Sequence, residues 1–152
     1  MARKKPNKTD IGSAYARLVK SQRTGEPVEK VRKDGGIATK PFLEFVPKPE
    51  SIVLQECLDW LHKHGFGAKR MNNGAGDFGG GFRYYGIKGA GDILAIQNGR
   101  FIEVECKKGK GGVLSKNQRE HCKWVERFSG EYYVVHDVSE LEYYLKGESY
   151  DS

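Results

Sequence analysis

The chain has 152 residues, 38% hydrophobic and 30% charged, with a net charge of +6, which is enough apolar content for one core of ordinary size. No apolar run approaches the roughly 18 residues of a membrane-spanning helix, and the start, M-A-R-K-K-P-N-K, lacks the apolar stretch that follows in a secretory signal. Cys57, Cys106 and Cys122 are odd in number and widely spaced, matching neither a disulfide framework nor a zinc pattern, so buried reduced thiols in an intracellular, cytoplasmic protein are expected.

The first 40 residues carry eleven Lys/Arg and four Asp/Glu, a net of +7, so the rest of the chain sums to −1 of the overall +6. A basic arm on a near-neutral body is a footprint of nucleic-acid binding, which the pattern favours over a solubilising, partly disordered tail. Within the arm, Ile11, Tyr15, Leu18 and Val19 have helical spacing over 10–23, with Gly25 as a stop. Asp34-Gly35-Gly36 marks a turn in an extended stretch, and Pro41, Pro47 and Pro49 a linker. The expected organisation is a basic N-terminal extension over 1–48 and a domain over 49–152.

The domain opens with a helix from about 49 to 64. Its stripe is Leu54, Cys57, Leu58 and Leu61, and Gly65 caps its end. A short strand is expected at 67–71. Eight glycines then fall between Asn72 and Asp92, too many for a regular element, so a long loop is expected there. Its aromatics, Phe78, Phe82, Tyr84 and Tyr85, either stack on bases or anchor the loop to the body. After a Gly/Lys loop at 108–112, Ser115 and Gln118 have capping-box spacing at the start of a helix whose apolar face continues through Cys122, Val125 and Phe128 to a stop at Gly130. Residues 132–136 read as a buried strand. Ser139 and Glu142 repeat the capping-box spacing before a last helix ending at Lys146. The order is α-β-β-β-α-β-α, with a mixed sheet flanked by helices.

The segment Gly91 to Lys107, G-D-I-L-A-I-Q-N-G-R-F-I-E-V-E-C-K, carries the chemistry. Asn98-Gly99 between two apolar runs is a strong hairpin signal. With those two residues as the turn, Gln97 faces Arg100 and Asp92 faces Glu105. Alternation then puts Glu103, Glu105 and Lys107 on the face of Asp92, and Ile93, Ala95, Ile102, Val104 and Cys106 on the opposite, core face. Carboxylates so close repel one another unless a cation lies between them, which suits a divalent metal. If the turn is not two residues long, Glu103 is the alternative ligand, and the Glu-x-Lys spacing favours Glu105.

These residues and this order resemble the PD-(D/E)XK nuclease superfamily, with its restriction-endonuclease-like α-β-β-β-α-β core. Within it they resemble the stand-alone, virus or microbial type of the VRR-NUC family. The resemblance covers about residues 50–136. It lies in Arg70-Met71-Asn72-Asn73-Gly74, in Gly86-Ile87-Lys88-Gly89-Ala90-Gly91-Asp92, in Glu105-Cys106-Lys107, and in Ser115-Lys116-Asn117-Gln118. It departs from the pattern at Gly91, where many relatives have Pro. The resemblance implies a Mg²⁺-dependent deoxyribonuclease, with Mn²⁺ as a substitute. Asp92 and Glu105 would hold the metal, Glu56 on the first helix would assist, Lys107 would orient the attacking water and Gln118 would position Lys107. It further implies a DNA partner, double-stranded or branched, a homodimer in some members, and host cytoplasm for a viral one. Arg70, Asn72, Asn73, Lys88, Lys108 and Lys110 are candidates for phosphate contacts, each also explicable as a turn or a solvated surface residue. Two alternatives stay open: an archaeal-type Holliday junction resolvase, and a non-catalytic nucleic-acid-binding module with a nuclease fold.

Overall fold

The computed structural model describes residues 31–146. The expected helix at 10–23 lies outside the described residues. The centre is a four-stranded mixed sheet of β2 (Gly67–Arg70), β5 (Ile93–Gln97), β6 (Arg100–Cys106) and β8 (Glu131–Val135), in the order β2-β5-β6-β8. β2 and β6 run antiparallel to β5, while β8 runs parallel to β6. Three helices are described: α1 (Glu50–Lys63), α2 (Lys116–Arg127) and α3 (Val138–Lys146). The architecture is therefore α/β with a mixed sheet.

Two hydrophobic clusters lie on opposite faces of that sheet. On one, Val53, Leu54, Cys57 and Leu61 of α1 and Leu141 of α3 pack against Ile93, Ala95, Ile102, Val104 and Cys106. On the other, Cys122 and Val125 of α2 meet Tyr132 and Val134 of β8, with Ile37 and Leu114. The strand face expected to be purely polar is thus roofed by α2, and Glu103 and Glu105 are 1% and 4% exposed. The reason is that β8 presents alternate apolar residues to that face, and these need cover of their own.

Local signals explain most of the elements. α1 ends as expected: Gly65 takes φ +79, its N–H reaches the His62 carbonyl, and the Phe66 N–H reaches Leu61. α2 ends the same way with Ser129 in the left-handed region at φ 65, and Gly130 donates to Val125. Its expected apolar face stops at Val125, because Phe128 is 65% exposed. α3 is capped by Asp137 rather than Ser139: the Asp137 carboxylate accepts from the Ser139 N–H at 2.9 Å. All three cysteines are free and buried. None of the described helices is long and apolar enough to cross a membrane.

Two features correct the sequence reading. The glycine-rich stretch holds a regular hairpin, β3 (Gly74–Asp77) with β4 (Phe82–Tyr85), whose pairing runs from Gly74↔Tyr85 to Asp77↔Phe82. Backbone hydrogen bonds need no side chains, and the glycines have steric uses: Gly79 and Gly81 turn with positive φ, and a Cβ at Gly74 would overlap the Tyr85 ring. The proline-rich stretch before residue 49 is not a free linker. β1 (Ile37–Ala38) pairs with β7 (Val113–Leu114), and Ile37 is 1% exposed. The Phe42 N–H donates to Glu140 at 2.8 Å, and Thr39 Oγ1 meets buried His136 at 2.9 Å.

Candidate active site

The site is built on the β5–β6 hairpin. Asn98 and Gly99 both have positive φ, 51° and 76°, as a tight two-residue turn of this hand requires. The resulting register pairs Gln97 with Arg100 and Ile93 with Val104, which brings Asp92 and Glu105 opposite each other one step beyond the paired strand. Asp92 is held by its own strand pair: its Oδ2 accepts the Cys106 N–H at 2.8 Å. On the other side, the Met71 N–H donates to the Asp92 carbonyl at 2.8 Å.

Glu105, Lys107 and Gln118 form one hydrogen-bonded cluster. Lys107 Nζ donates to Glu105 Oε1 at 3.0 Å and to Gln118 Oε1 at 3.2 Å. The Gln118 amide nitrogen donates to the same Glu105 oxygen at 2.6 Å. Gln118 is also half of the capping box: its Oε1 accepts the Ser115 N–H at 2.9 Å, while its own N–H reaches Ser115 Oγ. One side chain therefore terminates the helix and fixes the two ionisable groups beside it, so the capping and orienting roles coexist.

The electrostatics are those of an under-neutralised acidic pocket. Burial, then the charge of Asp92, pushes the Glu105 carboxyl up to about 8, against the opposing pull of Lys107. Asp92 is raised too, by burial, with the Cys106 N–H, Lys107 and Arg70 partly offsetting it. Among the described residues, every hydrogen bond to these two carboxylates falls on Asp92 Oδ2 or Glu105 Oε1, leaving Oδ1 and Oε2 as oxygens for a cation. No group of three His, Cys, Asp or Glu side chains among the described residues forms a ready-made metal cage. Two carboxylate oxygens nevertheless fit Mg²⁺, which is held by one or two carboxylates with water and substrate phosphate completing its shell.

The remaining candidates separate. Glu56 is tied to Lys48, whose Nζ lies 2.8 Å from both its oxygens. The α1 carboxylate whose charge acts on Glu105 is instead Glu50, at the first turn. The sequence does not separate the two glutamates, which share one helix; which of them acts on Glu105 depends on how α1 lies on the sheet. Arg70 is exposed at the end of β2, and its charge reaches Asp92. Asn73 braces the hairpin root, accepting the Ile87 N–H at 3.1 Å and donating to the Gly91 carbonyl at 3.3 Å. Asn72 is exposed. Lys108 and Lys110 are exposed on a loop whose Gly109 N–H is bonded to the Lys48 carbonyl, so they lie on the side of the proline-rich strap.

The third carboxylate on the face, Glu103, has a different job. Its Oε1 accepts the Gly91 N–H at 2.8 Å, and its Oε2 lies 2.8 Å from His121 Nε2. It thereby anchors the residue preceding Asp92. Close packing completes that anchor: a Cβ at Gly91 would sit 2.9 Å from the Val104 carbonyl oxygen, and one at Gly89 would overlap the Asn117 carbonyl of α2. A cleft of about 280 Å³ opens over Asp92, Glu105 and Gln118, and its far wall is made by Tyr84, Tyr85 and Lys88. No family model, curated protein or solved structure matches this chain.

Proposed function

We propose that this protein is a metal-dependent DNA endonuclease of the PD-(D/E)XK type, similar to the VRR-NUC family. The observation that carries the reading is that Asp92, Glu105 and Gln118 line one open cleft, with Lys107 hydrogen-bonded to Glu105 and Gln118 behind them. A bare salt bridge on a strand would not explain a buried Glu105 facing a half-buried Asp92 beside one ammonium.

In this reading Asp92 Oδ1 and Glu105 Oε2 would hold Mg²⁺, with Glu50 adding negative charge from α1. Held there, the ion would supply the charge that polarises the scissile phosphate and makes water a better nucleophile. Lys107, held by Glu105 and Gln118, presents its ammonium where charge develops on the phosphoryl oxygens and orients the attacking water. Gln118 keeps the ammonium in place, and the N-terminus of α2 adds a favourable field for phosphate. Lys88 in the cleft wall and the exposed Arg70, whose charge reaches Asp92, suit backbone phosphates, which position a nucleic acid without reading its sequence.

The test is cleavage of labelled linear duplex, flap, splayed-arm and four-way-junction DNA with Mg²⁺, Mn²⁺ or EDTA. Metal-dependent cutting should fall by about 100-fold or more in Glu105→Ala and Lys107→Ala. A wild-type protein that binds these substrates but cuts none of them under Mg²⁺ or Mn²⁺ would overturn the reading.

A further inference from the structure

The β3–β4 hairpin presents large rings to solvent. Phe78, Phe82, Tyr84 and Tyr85 are 68%, 69%, 51% and 49% exposed, so they do not anchor the segment on the body. The strand alternation sorts them into two pairs: Phe82 with Tyr84, centroids 5.6 Å apart and nearly perpendicular, and Phe78 with Tyr85 at 5.8 Å. On the Tyr85 face the opposing strand is bare, since Gly74 and Gly76 carry no side chain, and on the Phe82–Tyr84 face it carries Ala75 and Asp77. Cations sit among the rings. Lys88 Nζ lies 4.0 Å from the centre of the Tyr84 ring, and Arg83, on the alternate face of β4, stands on the side of Tyr85. The hairpin's own acid, Asp77, accepts the Gly79 N–H in the turn. Tyr84 and Tyr85 also line the cleft that contains Asp92 and Glu105.

We propose that this hairpin is a stacking platform for unpaired nucleobases, holding the single-stranded side of a DNA substrate against the cleft. Flat rings flanked by cations are what single-strand binders use, because every base has a face to stack while the cations follow the phosphates. A second copy is a poorer occupant: a two-fold contact through the hairpin would bring Arg83 and Lys88 of both copies, four like charges, into one interface. The platform defines the substrate class as DNA with unpaired bases next to the cut, and in that respect it rests on the nuclease reading.

The experiment measures binding of the full chain in EDTA, by fluorescence anisotropy, to labelled oligothymidylate and to a blunt duplex of equal length. The variants are Phe82→Ala with Tyr84→Ala, and the ring-conserving Phe82→Tyr with Tyr84→Phe. The alanine pair should weaken oligothymidylate binding by about 10- to 100-fold, with little effect on the duplex, and the ring-conserving pair should bind like wild type. Equal losses on both ligands, no loss on either, or loss in the ring-conserving pair would overturn the proposal. So would an oligomeric state, measured by light scattering without DNA, that changes with the alanine pair, since the rings would then serve a contact between copies. Cleavage in Mg²⁺ is scored separately. Ring-dependent binding without cleavage would remove the nuclease reading and keep the platform. Cleavage with ring-independent binding would do the reverse.

Discussion

Glu105 lies opposite Asp92, 4% exposed, with the Lys107 ammonium 3.0 Å from its Oε1. Its carboxyl is pushed from 4.5 up to about 8, so across that interval the folded protein holds a proton that the unfolded chain has released. Folding stability tied to this group is therefore fully present below pH 4.5 and is lost as pH rises toward 8, at up to about 1.4 kcal/mol per pH unit. Thermal unfolding of the metal-free protein should show the midpoint falling over that window, and Glu105→Gln should flatten the slope. Mg²⁺ should raise the midpoint at pH 8 and leave it nearly unchanged at pH 5, because only the ionised pair binds it. An equally steep slope in Glu105→Gln would assign the titration to another group. Glu103, two residues away on the same face, is already satisfied by His121 and the Gly91 N–H. Identical side chains on one strand face thus divide into a structural anchor and a candidate ligand, and the two-residue turn at Asn98-Gly99 decides which is which.

At the scale of elements, the site is a junction between the β5–β6 hairpin and the first turn of α2, and glycine sets how closely they meet. Gly89 has φ +77 and lies against the Asn117 carbonyl, while the Tyr132 hydroxyl donates to the Gly89 carbonyl at 3.2 Å. Gly89→Ala must push the loop away from α2 and strain the backbone. It should cost about 2 kcal/mol in denaturant unfolding and reduce cleavage by more than its loss of folded protein explains, since Gln118 follows Asn117. Unchanged stability would mean that the loop yields freely and does not set the position of Asp92. The capping box was legible in Ser115 and Gln118 because it is local. That Gln118 also bonds Glu105 and Lys107 was not, because that depends on how α2 crosses the sheet.

Over the whole molecule, the boundary between basic extension and body falls earlier than the prolines suggest. Ile37 and Thr39 are buried, and Phe42 packs against Tyr143 and Tyr144 with centroids 5.4 and 5.1 Å away. The sequence before residue 31 holds eight Lys/Arg and three Asp/Glu, a net of +5. Deleting residues 1–30 should leave the cooperative unfolding of the body intact, weaken DNA binding, and lower the slope of log affinity against log salt by about 0.9 for each phosphate contact removed. An unchanged slope would show that this arm does not touch the backbone. Carrying the deletion to residue 40 should unfold the protein, because it removes Ile37 from the second core and Thr39 from its contact with His136.

Composition and short-range pattern by themselves determined the helices at 50–63 and 116–127, the buried strand before His136, and the Asp92–Glu105 pairing. Each rests on contacts between residues near in sequence: periodicity, caps and a tight turn that leaves one register. The tertiary structure alone decided what covers the carboxylate face, which α1 glutamate acts on Glu105, and that the glycine-rich segment stands out as an aromatic hairpin. Those outcomes depend on packing between distant segments, where burial and close backbone approach, rather than local preference, set the energy.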